Sequence, residues 1–150
     1  FWAYTEEELE AVADSFDRLG LPIDVLVIDM DWHLLGWTGY TWDRDLFPHP
    51  AQMLKRLKAR GLAVSLNLHP ADGVASREEA YAAVCRDLGR DPARGETVPF
   101  DCADPRLMES YFKRLHHPLE EMGVDLWWMD WQQGTQTRLP RLDPLSWLGR

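Results

Sequence analysis

Cysteine is scarce in this chain: two in 150 residues, Cys85 and Cys102. That number builds neither a disulfide scaffold nor a zinc cluster. No apolar run approaches the roughly 20 residues that span a bilayer, and no signal-peptide pattern opens the chain, which leaves the compartment open. Positive charge is also short, with 16 Lys and Arg against 25 Asp and Glu for a net of −9. That sign argues against a nucleic acid or an anionic membrane surface as partner. Missing too are the phosphate-binding patterns G-x-G-x-x-G and G-x-x-x-x-G-K-[ST] and the zinc pattern H-E-x-x-H.

Tryptophan, by contrast, is abundant. Eight occur in 150 residues, and they cluster: Trp32, Trp37 and Trp42 in one stretch, Trp127, Trp128 and Trp131 in another, each stretch beside aspartates. Flat rings with one polar handle fill cores, and they also stack on the C–H face of a pyranose. With 45% hydrophobic and 27% charged residues, the chain has enough apolar mass for one ordinary domain and is not a disordered one.

Helices and strands alternate along the sequence. Thr5 with Glu8 reads as a capping box for a helix over 6–19, with Leu9, Val12, Phe16 and Leu19 on one face and Gly20 as its stop. The β-branched run Asp24-Val-Leu-Val-Ile-Asp29 reads as a strand buried on both faces, the habit of parallel sheets. A long loop rich in Gly, Trp and Pro leads to a helix that Pro50 opens and Gly61 ends. A second strand over 62–68 follows. Ser76 with Glu79 predicts another capped helix running to Leu88, and Asp104-Pro105 predicts a long one running to Met122. Val124-Asp-Leu-Trp-Trp-Met129 is the third strand. Strands separated by helices imply right-handed crossovers and a parallel sheet with helices outside it. Three strands do not close a barrel of eight, and an open sheet this small leaves buried-type edges bare. The expected architecture is therefore α/β, a partial (β/α)₈ TIM barrel, with residues 1–150 as a fragment forming the first half of a catalytic domain.

Reactive groups in such folds collect at the carboxyl ends of the strands. Those ends read Asp29-Met30-Asp31-Trp32-His33, Asn67-Leu68-His69-Pro70 and Asp130-Trp131-Gln132-Gln133. Asp130 follows three apolar residues and heads no capping box, which favours chemistry over a turn role, and a carboxylate there suits a nucleophile in glycoside hydrolysis. Asp29 and Asp31 suit either a second carboxyl or the hydrogen-bonding of sugar hydroxyls. His69, at a strand end, is expected to line the same pocket. His116-His117 read as one packed and one exposed helix residue, and Cys85 as a buried thiol.

Several pieces resemble glycoside hydrolase family 31, the α-glucosidase and α-xylosidase family: Tyr4-Thr-Glu-Glu-Glu before a helix, Gly20-Leu-Pro-Ile-Asp-Val-Leu-Val-Ile-Asp-Met-Asp-Trp32, Thr41-Trp-Asp43 leading to Phe47-Pro48, and Val124-Asp-Leu-Trp-Trp-Met-Asp130. The resemblance implies a retaining α-glycosidase with Asp130 as catalytic nucleophile. It places Asp29 on hydroxyls of the terminal sugar with Met30 beside it, and Trp128 as a wall of that subsite. Asp31, Trp32, His69 and Trp131 complete the expected substrate-binding set. The partner implied is a carbohydrate, with no metal and no organic cofactor. The family's acid/base aspartate is expected beyond Arg150, which would leave the fragment inactive alone. Asp130 is followed by Trp-Gln-Gln where the family commonly has Met-Asn-Glu or a relative of it, which opens the choice of sugar to α-galactosides or α-N-acetylgalactosaminides. A non-catalytic carbohydrate-binding module is the reading from a different class. The D-x-D of Asp29-Met30-Asp31 also fits a metal-dependent glycosyltransferase, without a diphosphate cradle to support it.

Overall fold

The structure, a computed structural model, describes residues 2–130 and 137–143. Helix α1 (Glu6–Leu19) starts on the expected capping box, with Thr5 Oγ1 accepting from the Glu8 amide and Glu8 Oε2 accepting from the Thr5 amide. Gly20 closes it in the left-handed conformation at φ 65°, where a side chain would be strained. Strand β1 (Val25–Ile28), helix α2 (Pro50–Ala59) and strand β2 (Ala63–Leu68) follow. Helix α3 covers Tyr81–Asp87, α4 Pro105–Tyr111, α5 His117–Met122, and strand β3 Leu126–Met129.

The three strands form one parallel sheet in the order β1-β2-β3, as alternation with helices dictates. Its two faces differ. Leu26, Ile28, Val64, Leu66 and Leu68 are buried in the core with Leu9 and Ala13 of α1, Met53, Leu54 and Leu57 of α2, Val84 of α3 and Leu107 of α4. On the other face the side strands expose apolar groups, Val25 at 41%, Val27 at 39%, Leu126 at 47% and Trp128 at 56%. This is the layout of a barrel wall, with helices outside and the lumen face open, and the arc of α/β barrel is the architecture that the sequence implied.

Two expected helices are different in the structure. The capping box at Ser76 and Glu79 does not form, because its groups are used elsewhere: the Glu79 amide donates to Thr41 Oγ1 at 3.0 Å, and α3 starts only at Tyr81. The single helix expected over 105–122 is divided. Pro118 has no amide hydrogen and its ring crowds the carbonyl four residues earlier. Residues Phe112–His116 accordingly form a wider π turn, with the His117 amide donating to the carbonyl of Phe112. His116 is buried and packs its ring against Tyr111 and Trp127 at 4.5 and 4.3 Å between centroids, while His117 is exposed. Burial pushes the His116 imidazole down to about 3. Both cysteines are buried and unlinked.

Candidate active site

The segment after β1 supplies the first part of the site. Asp29 ends the strand on the same face as Val25 and Val27, exposed, and its Oδ1 accepts from the Met30 amide at 2.8 Å. That bond caps a short 3₁₀ turn, Met30–Trp32. Asp31, in the middle of that turn, is half-buried. Burial, with the Asp29 charge nearby, lifts its carboxyl above the usual range. Asp29 and Asp31 line a cavity of about 350 Å³ with Trp2, Tyr4 and Phe47.

Trp32 corrects an expectation. Its side chain has no exposure, and so it offers no face to a sugar. Its ring packs on His33 and Trp42, and Trp42 on Phe47, with centroids 4.3, 5.1 and 5.3 Å apart. Its Nε1 donates to the main-chain carbonyl of Asn67 at 2.8 Å. The stretch expected as a long loop thus folds back over the carboxyl end of β2. Thr38 Oγ1 donates to the His69 carbonyl at 2.9 Å, and the Trp37 ring lies 4.8 Å from the His69 ring.

The buried carboxylate of Glu78 pins that fold from the far side. Its Oε2 accepts from the Tyr40 amide and from Thr41 Oγ1, both at 2.8 Å. Gly39 leaves room for it: at φ 144°, a Cβ there would come within 2.7 Å of Glu78 Oε1. Beneath the loop, burial together with His69 and Arg77 holds the His33 imidazole down to about 3, so this ring is neutral.

The second part of the site is where β2 and β3 end. Register pairs Asn67 with Trp128 and Leu68 with Met129, and the Asp130 amide donates to the Leu68 carbonyl at 2.9 Å. Trp127 turns to the helix side, donating its Nε1 to Glu120 Oε1 at 2.9 Å. Trp128 and Asp130, each one step out of phase with it, fall on the open face. Asp130 Oδ2 accepts from Asn67 Nδ2 at 3.0 Å and stands 3.5 Å from His69 Nε2. The carboxylate is 29% exposed and His69 only 5%.

Of the expected residues, Asp130 and His69 come within 3.5 Å of each other. Trp128 shares their face, Asp29, Met30 and Asp31 sit at the end of β1, Trp32 lies beneath, and Trp131 falls outside the described residues. Asn67 was not foreseen. Its place in Ser65-Leu-Asn-Leu, polar alternating with apolar at the end of a strand, was the available signal. Among the described residues no group of three His, Cys, Asp or Glu is placed to hold a metal ion, and no helix is long and apolar enough to cross a membrane.

The family model of the glycosyl hydrolases family 31 TIM-barrel domain matches residues 1–144. The chain belongs to that family. Similar proteins include the α-xylosidase of Saccharolobus solfataricus, 25% identical over 142 residues covering 86% of this chain and 18% of the relative. The neutral α-glucosidase C of Homo sapiens is 26% identical over 153 residues, covering 93% and 17%. A probable glucan 1,3-α-glucosidase of Arabidopsis thaliana is 48% identical over a shorter stretch of 61 residues, 40% of this chain and 6% of the relative. The family 31 domain described here thus spans under a fifth of each relative's length. Among solved structures, a family 31 α-xylosidase from a soil metagenome, complexed with xylose, superposes with a TM-score of 0.68 at 23% identity, over 93% of this chain and 21% of that one. A family 31 dextranase of Flavobacterium johnsoniae gives 0.67 at 18% identity, over 93% and 18%. At these identities the structures establish the shared barrel fold.

Proposed function

We propose that this domain is part of a retaining α-glycosidase that hydrolyses terminal α-linked sugars of the glucose or xylose type, with Asp130 as its nucleophile. The observation that carries the reading is the position of Asp130: a part-buried carboxylate at the carboxyl end of a barrel strand, on the lumen face, with a hydrogen-bond donor on one oxygen. Reactive groups of (β/α)₈ enzymes sit at that end. In the proposed reaction a carboxylate oxygen of Asp130 bonds to the anomeric carbon. The glycosidic C–O bond breaks, and the departing oxygen keeps the electron pair and takes a proton from a general acid. Water, deprotonated by the same group, then displaces Asp130.

The second carboxyl of a retaining pair stands about 5–5.5 Å away. Asp29 is placed unsuitably for that role, because it sits two strand spacings from β3, roughly 10 Å at the backbone. With its carboxylate exposed, Asp29 suits the acceptance of hydrogen bonds from ring hydroxyls. The proposal gives Met30, Asp31, His69, Trp128 and Trp131 to the walls of the sugar site and Trp32 to their support. The acid/base belongs to another strand of the full barrel. The relatives' names, α-xylosidase and α-glucosidase, support α-linked glucose and xylose as the first substrates to try.

Asp130→Asn in the complete enzyme is expected to lower kcat on 4-nitrophenyl α-glucoside or α-xyloside by at least about 10³-fold while leaving the melting temperature in place. A 5-fluoro glycosyl fluoride should label Asp130. Wild-type turnover by the variant, or label on another side chain, would remove Asp130 from the mechanism.

A further inference from the structure

The buried amide of Asn67 does something that packing does not require. Asn67 stands near the end of the central strand, 2% exposed, on the lumen face opposite the core-facing Leu66 and Leu68, and an aliphatic residue would bury there at less cost. Its backbone is locked, since Trp32 Nε1 donates to its carbonyl at 2.8 Å. Its side-chain Nδ2 donates to Asp130 Oδ2 at 3.0 Å. Its own Oδ1 is buried and has no hydrogen-bond partner among the described residues. Turning the amide over would aim that oxygen at a carboxylate, so the orientation is fixed by charge. Among the described residues a buried polar atom thus goes unpaired while Asp130 receives a donor, a cost to stability of the kind tolerated at functional sites. His69 Nε2 approaches the same oxygen at 3.5 Å, beyond ordinary hydrogen-bond length.

We infer that Asn67 is a positioning residue for the nucleophile: from the neighbouring strand it fixes the rotation of the Asp130 carboxylate and favours its ionised form. The inference rests on the reading of Asp130 given above. A hydrogen bond to the charged form of an acid lowers its pKa, and a carboxylate held in one rotation meets the anomeric carbon without first being ordered. Asn67 touches Asp130 and acts through it.

The test uses the complete enzyme and whichever 4-nitrophenyl α-glycoside the wild type turns over fastest. Asn67→Asp keeps the shape and replaces the donor by an acceptor. Asn67→Leu keeps the bulk and removes the donor. Both are expected to lower kcat by about 10- to 100-fold, the range of one hydrogen bond to a charged group, with KM changed less than threefold. Both should move the acidic limb of the kcat/KM profile upward by about one pH unit. Asn67→Asp should regain part of its rate as pH falls and the new carboxyl becomes a donor, which Asn67→Leu cannot do. That recovery is a signature that a merely structural role would not produce. If the aspartate variant does not fold, the limb shift in Asn67→Leu decides. Wild-type kcat and an unmoved acidic limb in the folded variants would overturn the inference. Asp130→Asn run alongside separates the two readings: an inactive Asp130→Asn with unaffected Asn67 variants defeats only the positioning role, whereas an active Asp130→Asn defeats the assignment of Asp130 itself.

Discussion

Trp32 donates its Nε1–H to the carbonyl of Asn67 from a position with no solvent exposure, so an aromatic of the Asp29-Met30-Asp31-Trp32 motif braces the neighbouring strand end. Trp32→Phe keeps most of the ring and leaves that buried carbonyl without its donor, at a cost of about 1–3 kcal/mol. The expected result is a lower melting temperature of the complete enzyme together with a reduced kcat, because Asn67 loses the bond that sets its backbone. An unchanged melting temperature would mean that the bond contributes nothing. The sequence singles out Asp130 because a carboxylate that ends an apolar run has few structural uses, and the structure sets it beside Asn67 and His69. Sequence reasoning could not separate Trp32 from Trp128, since both sit beside strand-end aspartates, and only the fold of the following loop buries one while the other stays 56% exposed. Asn67 escaped notice because its meaning depends on a partner 63 positions along the chain.

At the scale of elements, the local signals held wherever neighbouring residues settle the outcome. The Thr5–Glu8 box and Gly20 delimit α1, and Pro50 opens α2, each from contacts within a turn of the chain. Signals failed where a distant group competed or where a breaker inside the element was passed over. Thr41, 38 residues away, takes the Glu79 amide that a cap at Ser76 would have used, and Pro118 splits a helix that periodicity draws as continuous. Glu78 is the clearest case, a charged residue whose neighbours give no reason for it to be buried at 5% exposure. Its carboxylate holds Tyr40 and Thr41, and through them the loop that sets Trp37 and Thr38 against His69. Glu78→Ala would strand a buried amide and a buried hydroxyl, and hydrogen bonds to a charged group contribute about 1.5–3 kcal/mol each. The variant should melt well below the wild type and lose activity beyond what its stability explains, as the loop lifts from His69. Glu78→Gln keeps an acceptor oxygen and should fall between the two. Equal melting of all three proteins would show that the loop is held by its aromatic contacts instead.

The whole molecule has one finished face and one unfinished face. Helices cover Leu26, Ile28, Val64, Leu66 and Leu68, while Val25, Val27, Leu126 and Trp128 are 39–56% exposed on the lumen side, and among the described residues β1 and β3 are both edges of the sheet. An apolar surface flanked by two unpaired parallel edges is a template for association. A closed barrel covers the face and removes both edges, which is why the described arc is expected to need the remaining strands to be stable. The net charge of −9 works against association, but charge spread over a surface does not cover a hydrophobic strand. The isolated 150 residues should therefore elute as oligomers or aggregate in gel filtration and bind a hydrophobic dye. Replacing Val27 and Leu126 by Lys should reduce both effects by placing charge on the exposed strand faces. A monodisperse monomer that unfolds in one cooperative transition and ignores the dye would mean that the helix-covered face alone stabilises this part of the barrel.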